Sequence, residues 1–179
     1  MKNMRIKEVL FSEDDIANIV RITAERISSD YKEQNIDSMT LVCVLKGAVM
    51  FTADLMRKIE LPSIRLEFIK ASSYGSSDTS SGEVELNIAD DLLISGKNIL
   101  IVEDIIDTGY TLKRIVEKFK LLKPNTIKVC TLFDKPDRRI VDFKPDYVGS
   151  VIPDEFIVGY GLDYAEMYRN LPYVAVLGE

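Results

Sequence analysis

The chain has 179 residues, a length that fits a single domain. Hydrophobic residues make up 46% of it and charged residues 29%, a composition that indicates a globular protein and argues against a disordered chain. Because the formal net charge is −6, general affinity for nucleic acid is not expected. The absence of histidine excludes Ser-His-Asp and Cys-His catalysis and imidazole-bound metals.

The two cysteines, Cys43 and Cys130, each lie inside an apolar run. Two cysteines cannot supply a four-cysteine zinc site, so we predict buried, reduced thiols on core strands, as is typical of the cytosol. The sequence shows no signal peptide, and its apolar runs are shorter than the ~20 residues that a membrane-spanning helix requires. We therefore expect a cytoplasmic protein without a membrane partner.

Apolar spacing predicts strands that alternate with helices along the chain. Ser12 has capping-box spacing, and a helix is predicted from 13 to about 29. The continuously apolar run 39–45 predicts a strand buried on both faces. Later elements follow in order: a helix over 48–59, strands over 65–71 and 98–104, a helix over 111–122, a strand over 126–133, and shorter strands within 146–152, 155–160 and 173–177. This order predicts an α/β fold with a central, mainly parallel sheet flanked by helices.

One segment differs in composition from the rest. Residues 72–82 contain six Ser, one Thr and two Gly, and they lie between two predicted strands. The segment is consistent with a solvated hairpin loop, and equally with a mobile lid over a site. Composition alone does not separate these alternatives.

Candidate site residues lie just after the predicted strands, because ligands of open α/β sheets bind at the carboxyl ends of the strands. Residues 107–111 open a helix and offer backbone N–H groups, a glycine and two threonine hydroxyls, which favours phosphate binding without the lysine of a Walker loop. The preceding carboxylates of Glu103 and Asp104 would repel a phosphate unless they bind sugar hydroxyls or a divalent cation. A phosphorylated sugar with Mg²⁺ satisfies these features, and the alternative is a capped helix start with solvated acids.

Several motifs, in order along the chain, resemble one enzyme family. LIVEDIIDTGYTL (100–112) is similar to the phosphoribosyl-pyrophosphate motif of the type I phosphoribosyltransferases. The other segments resemble hypoxanthine-guanine phosphoribosyltransferases: VLKGAVMFTADL (44–55), SSYG (72–75), DKPDRR (134–139) and 144–177. The resemblance implies one phosphoribosyltransferase domain over 1–179. It also implies a flexible lid loop at 72–83 and a small C-terminal hood, with base-binding residues and strands, from about 134 to 179.

The resemblance also implies an activity and the residues that perform it. The activity is purine salvage with Mg²⁺, in which phosphoribosyl pyrophosphate and a 6-oxopurine base give IMP or GMP. The residues implied for phosphate and ribose binding are Glu103, Asp104, Asp107, Thr108, Gly109, Tyr110 and Thr111. Glu103, Asp104 and Asp163 are implied as Mg²⁺ ligands, and Asp107 as the general acid or base at N7 of the purine.

The resemblance assigns the other ligand contacts as well. Lys46, Gly47 and Arg169 are implied at the pyrophosphate, with a cis peptide bond before Lys46. The residues implied at the purine are Lys135, Phe156, Ile157 and Asp163, and Ser73 and Tyr74 are implied on the lid. Each has a plainer alternative: surface lysines at 46 and 135, a core aromatic at 156, surface charges at 163 and 169, and a loop tyrosine at 74.

Other functions stay open at the level of sequence. An RNA-binding regulator that keeps this fold should show a basic face, and the net charge of −6 argues against it. A signal-receiver or flavodoxin-like domain has a similar sheet, but the acids followed by DTGYT do not suit its ligands. Within the enzyme reading, a preference for xanthine or for hypoxanthine alone is open. The resemblance implies a homodimer or homotetramer without choosing between them.

Overall fold

The computed structural model describes residues 4–73, 84–87 and 94–178, with residues 72–73 and 84–87 described by their backbone. The elements are β1 (Arg5–Phe11), α1 (Glu13–Glu33), β2 (Ser38–Leu45), α2 (Val49–Met56), β3 (Ser63–Ser73), β4 (Val84–Asn87), β5 (Asn98–Ile106), α3 (Tyr110–Leu121), β6 (Thr126–Asp134), a 3₁₀ turn (Pro136–Arg138), β7 (Tyr147–Val151), β8 (Ile157–Val158) and β9 (Val174–Gly178). The α/β prediction is confirmed.

A six-stranded sheet in the order β4-β3-β2-β5-β6-β7 forms the centre of the molecule. The neighbours from β3 through β7 pair in parallel, whereas β4 is antiparallel to β3. Leu41 of β2 lies beside Leu100 of β5 and Leu66 of β3, and Leu41 and Leu100 are completely buried. The parallel register brings the carboxyl ends of β2, β5 and β6 to one edge.

Two apolar cores lie on opposite faces of this sheet. One contains the buried side of α1, where Ile16, Val20 and Ile27 recur at helical spacing. The other lies under α3 and contains Ile115 and Phe119. Each large apolar side chain buried in this way contributes about 1.5–3 kcal/mol, so these two faces hold the helices on the sheet. Cys43 and Cys130 are fully buried free thiols, as predicted.

The first helix begins where the sequence predicts but ends one turn later. Ser12 and Asp15 form a reciprocal capping box, in which the Asp15 N–H donates to Ser12 Oγ at 3.2 Å. The helix then runs to Glu33, beyond the predicted end near 29, and its last turns bury Tyr31. Packing of Tyr31 in the core stabilises the last turn of α1, where the sequence no longer shows the apolar spacing of a helix.

A second sheet contains a strand that the sequence does not reveal. Strand β1 pairs antiparallel with β9, and β9 pairs with β8, giving the order β1-β9-β8. The side chains of β1 are mostly exposed, so the strand lacks the apolar run that marks a buried strand. The small sheet therefore includes the N-terminal strand, whereas β7 belongs to the large sheet.

Two predicted elements are shorter in the structure. The helix expected over 48–59 covers Val49–Met56, and the strand expected within 155–160 covers only Ile157–Val158. The strand ends there because Gly159, Tyr160 and Gly161 all have positive φ, which takes the chain out of extended geometry. Among the described residues, no helix has both the length and the hydrophobicity needed to cross a membrane.

Candidate active site

The segment after β5 forms an open helix N-terminus. Strand β5 ends at Ile106 and α3 begins at Tyr110, with Gly109 between them at φ +87° and no side-chain cap on the helix from the described residues. A Cβ at Gly109 would lie 2.9 Å from a methyl group of Val141, so both backbone conformation and space require glycine. A cavity of about 210 Å³ lies at this loop and is lined by Glu103, Ile105, Ile106, Asp107, Thr108, Gly109, Thr111 and Leu112. Uncapped N–H groups at a helix start suit an anion.

Two consecutive carboxylates lie beside this loop. The Asp104 N–H donates to Glu103 Oε1 at 3.3 Å, and the Ile105 N–H donates to Asp104 Oδ1 at 2.8 Å. Burial raises the pKa of Glu103 well above its ordinary value, and the neighbouring charge of Asp104 raises it further. Burial also raises the pKa of Asp104, against the opposing effect of its hydrogen bonds and of Arg169. A cation or sugar hydroxyls would relieve this repulsion.

The loop after β2 packs directly against these acids. The Leu45–Lys46 peptide is cis, as the family resemblance implies. A Cβ at Gly47 would lie 1.6 Å from Asp104 Oδ2, and a Cβ at Gly161 would lie 2.1 Å from the carbonyl oxygen of Gly47. Both positions therefore require glycine, and the loop after β2 contacts both Asp104 of β5 and the segment that follows β8.

Two cationic side chains converge on the same loop. Arg169 donates to the carbonyl of Gly161 at 2.7 Å and forms an ion pair with Asp163 at 2.8 Å. Lys46 Nζ lies 3.1 Å from Glu166 Oε2, and this hydrogen bond, with that from Arg169, lowers the pKa of Glu166. Arg169 Nε is buried without a hydrogen-bond partner among the described residues. The loop thus has two cationic side chains beside it, each paired with an acidic residue.

The other predicted polar residues form a second cluster. Arg138 Nε donates to Asp107 Oδ1 at 2.7 Å, and Arg138 also lies 3.5 Å from Asp154. Lys135 is buried rather than a surface lysine, and its Nζ donates to the carbonyl of Glu155 at 2.6 Å. Asp107 and Lys135 are therefore linked by a series of ion pairs that runs through Arg138 and Asp154.

The aromatic residue predicted at the purine does not belong to the core. Phe156 is 48% exposed, and its ring meets the edge of Tyr164 at a centroid distance of 5.7 Å. Ile157 beside it is buried in β8, and the carbonyl of Phe156 accepts from the N–H of Leu177 at 2.7 Å. The small sheet thus holds an exposed aromatic face in a fixed position.

Not every relevant residue can be placed from the sequence alone. Ser73 ends β3, and Tyr74 lies outside the described residues. Arg138, Asp154 and Glu166 were not predicted from the sequence, although each contacts a predicted site residue. Arg138 lies within the DKPDRR motif, which is the one signal that could have identified it.

Comparisons with known proteins agree with this geometry. Residues 10–165 match the phosphoribosyl transferase domain family. The hypoxanthine-guanine phosphoribosyltransferase of Streptococcus pyogenes is 49% identical over 179 residues, which is all of this chain and 97% of that protein. The corresponding Streptococcus thermophilus protein is 48% identical over 174 residues, covering 97% of this chain and 94% of its own length.

Solved structures show the same similarity. The crystal structure of a hypoxanthine-guanine phosphoribosyltransferase from Bacillus anthracis has a TM-score of 0.89 and 44% identity, covering 98% of this chain and 100% of that one. A hypoxanthine phosphoribosyltransferase from Staphylococcus aureus has a TM-score of 0.90 and 43% identity, covering 97% and 92%. The chain belongs to the phosphoribosyl transferase family and, within it, to the hypoxanthine-guanine phosphoribosyltransferases. The receiver and flavodoxin alternatives are therefore wrong.

Proposed function

We propose that this protein transfers the 5-phosphoribosyl group of phosphoribosyl pyrophosphate to hypoxanthine or guanine, giving IMP or GMP and pyrophosphate in purine salvage. Family membership over the full chain supports the reaction. The observation that carries the proposal is an arrangement at one sheet edge: an open helix N-terminus, a partly buried acid pair, and a loop that requires glycine and lies beside two cations. Phosphate, ribose and pyrophosphate are the three groups that such an arrangement would bind.

Residues 107–111 bind the 5′-phosphate through backbone N–H groups and the hydroxyls of Thr108 and Thr111. The absence of a side-chain cap on α3 among the described residues supports this role, because the first N–H groups need an acceptor. Tyr110 contributes its N–H, and Gly109 allows the phosphate to approach the backbone. Glu103 and Asp104 then face the 2′ and 3′ hydroxyls of the ribose.

Mg²⁺ fits the acid pair, and we assign it to Glu103 and Asp104, with a second Mg²⁺ at Asp163. The fit rests on the raised pKa values of both paired carboxylates, since a cation offsets the burial and repulsion that raise them. Magnesium is commonly held by one or two carboxylates together with substrate phosphates. When bound, it supplies charge neutralisation for the departing pyrophosphate.

The loop at Lys46 and Gly47, with Arg169, binds the pyrophosphate. Positive charge fixed beside a leaving group that gains negative charge stabilises the transition state more than the ground state. Glu166 holds Lys46 in the free protein, so the exposed ammonium exchanges a carboxylate for a phosphate oxygen when substrate binds.

The purine binds between Phe156 and the cluster at Lys135. Phe156 stacks on the base, Lys135 donates to the 6-oxo group, and the backbone at Ile157 reads the base edge together with Asp163. Asp107 exchanges the proton at N7 as general acid or base, a role open to a carboxylate in a chain without histidine. Ser73 and Tyr74 belong to the lid over 72–83, which excludes water from the activated sugar.

The same proposal covers the assembly and location of the protein. We assign the chain as one domain over 1–179 with the hood from about 134 to 179, acting as a homodimer or homotetramer in the cytoplasm. No membrane or nucleic-acid partner is part of this function. The family resemblance supports the oligomer, and size-exclusion chromatography with light scattering would decide its size.

The test is a direct assay of nucleotide formation. Purified protein, phosphoribosyl pyrophosphate and Mg²⁺ are mixed separately with hypoxanthine, guanine, xanthine, adenine and uracil. We expect IMP and GMP to form and EDTA to stop both reactions. Absence of product with every base, despite nucleotide binding, would contradict the proposal and direct the next assay to RNA binding.

A further inference from the structure

A buried tyrosine in the segment after β8 is hydrogen-bonded to α2. The hydroxyl of Tyr160 donates to Asp54 Oδ2 at 2.6 Å, and Tyr160 is only 9% exposed. Arg57 pairs with the other carboxylate oxygen of Asp54 and so orients the acceptor from its own end of the helix. Hydrogen bonds to a carboxylate are stronger than those between neutral groups. This bond therefore joins α2 firmly to the C-terminal part of the chain.

Both ends of this hydrogen bond lie close to the loop proposed to bind pyrophosphate. Asp54 is on α2, and the first residue of that helix, Val49, follows Gly47 by two positions. Tyr160 directly precedes Gly161, and a Cβ at Gly161 would lie 2.1 Å from the carbonyl oxygen of Gly47. The contact between the two glycines is therefore held from both sides, by the helix on one and by the tyrosine on the other.

The backbone around Tyr160 is fixed by its neighbours. Tyr160 has φ +49°, between Gly159 at +101° and Gly161 at +100°. Residues other than glycine rarely adopt this left-handed conformation, and they keep it only where the surrounding structure holds them. The N–H of Tyr160 donates to the carbonyl of Leu171 at 2.8 Å, and the N–H of Gly161 donates to the carbonyl of Arg169 at 3.0 Å. A displacement of the tyrosine would thus be passed directly to Gly161.

The pair lies outside the cavity proposed for the phosphate. Tyr160 and Asp54 line a separate cavity of about 240 Å³ between α1, α2 and the segment after β8. Neither residue lines the cavity at the start of α3. An effect of this pair on substrate binding would therefore act through the loop after β2.

We propose that Tyr160 is a positioning residue for pyrophosphate: its hydrogen bond to Asp54 holds the loop at Lys46 and Gly47 in the binding arrangement before the substrate arrives. This inference rests on the proposed function. A loop that is held in advance loses less conformational freedom on binding. Without the hydroxyl, binding itself must order the loop. Affinity should then fall for a ligand that carries pyrophosphate and should be kept for a ligand without it.

The experiment measures the affinity of Tyr160→Phe by calorimetry for phosphoribosyl pyrophosphate with Mg²⁺ and, separately, for IMP. Both ligands carry a ribose and a 5′-phosphate, and only the first carries pyrophosphate. We expect Kd for phosphoribosyl pyrophosphate to rise by about 3- to 10-fold, as for loss of one hydrogen bond, and Kd for IMP to stay within about twofold. Asp54→Ala should raise the same Kd similarly, and the double variant should add little, because both substitutions remove one bond.

A matched control separates positioning from a general loss of stability. Tyr147→Phe removes a similar hydrogen bond, from a buried tyrosine hydroxyl of β7 to Asp30 of α1. It should lower the midpoint of urea unfolding and leave Kd for phosphoribosyl pyrophosphate unchanged.

Two results would overturn the inference. One is an unchanged Kd for phosphoribosyl pyrophosphate in both Tyr160→Phe and Asp54→Ala. The other is an equal loss of affinity for phosphoribosyl pyrophosphate and IMP, which would indicate a general structural role. Failure of the unmodified protein to bind phosphoribosyl pyrophosphate would instead contradict the proposed function.

Discussion

The two ends of the central sheet treat charged side chains in opposite ways. At the amino end of β6, Lys128 is only 17% exposed and binds Asp30 and the hydroxyl of Tyr147, so these polar groups satisfy one another. At the carboxyl end of β5, Glu103 and Asp104 are neighbours with raised pKa values. The first cluster joins α1 to the sheet, whereas the acid pair remains available to bind a cation or the hydroxyl groups of a ligand.

The sharpest test of the carboxyl end is Asp107→Asn. We expect turnover to fall by ~10²-fold or more, because the amide cannot exchange the proton at the purine. Nucleotide affinity, measured by calorimetry, should be largely kept, since the phosphate contacts come from the backbone. Near-normal turnover would exclude Asp107 as the proton-transfer residue.

The amino end should respond in stability rather than in activity. Lys128→Met leaves Asp30 with the Tyr147 hydroxyl but without its cation, and we expect a loss of about 1–3 kcal/mol in the free energy of unfolding. Urea denaturation measures this loss. The kinetic constants at 25 °C should stay within about twofold of the unmodified protein. A change in KM for either substrate would show that the two ends are coupled.

Removing one acid of the pair should have the reverse effect on stability. Because the pKa of Glu103 is raised in the folded protein, folding is favoured below the unfolded pKa, and this contribution is lost as pH rises through the folded pKa. Glu103→Gln should therefore stabilise the ligand-free protein by about 1 kcal/mol at pH 7 and little at pH 4. It should also weaken binding of phosphoribosyl pyrophosphate with Mg²⁺. Equal melting temperatures of the two proteins at pH 7 would contradict the unfavourable charge of Glu103 in the folded protein.

The N-cap of α1 provides a reference value for the stability lost when one local interaction is removed. Ser12→Ala removes the side chain that accepts from the Asp15 N–H at the start of α1. We expect a loss of about 0.5–1 kcal/mol, the ordinary effect of removing a helix cap. Thermal unfolding measures it, and Ser12→Asp, which keeps an acceptor, serves as the matched control. Kinetic constants that differ from those of the unmodified protein would show that α1 affects the site.

The sequence predicted those parts of the fold that depend on local pattern. Residues such as Ile16, Val20 and Ile27 recur at helical spacing, and the apolar run before Glu103 indicates a buried strand. Strand β1 was missed because its side chains are mostly exposed and its pairing with β9 depends on residues far away in sequence. Long-range pairing leaves no local signal.

The same division holds for the site. Acids and glycines at strand ends are visible in the sequence, since chemistry and chain reversal need those residue types at those positions. The hydrogen bond from Arg138 to Asp107 joins residues 31 apart, and Lys135 is buried where it meets Glu155, 20 residues further along the chain. Both follow from tertiary packing, which composition and spacing do not encode.

The pairing of β1 with β9 has a consequence for the order in which the protein is made. The ribosome releases Arg5–Phe11 well before Val174–Gly178, so the edge strand must wait while the segments between them are made before it finds its partner. The large sheet needs only earlier segments up to β7 and can form sooner. The small sheet beside Phe156 is thus completed after the large sheet, and a nascent chain stalled before β9 would hold the phosphate loop without a finished purine site.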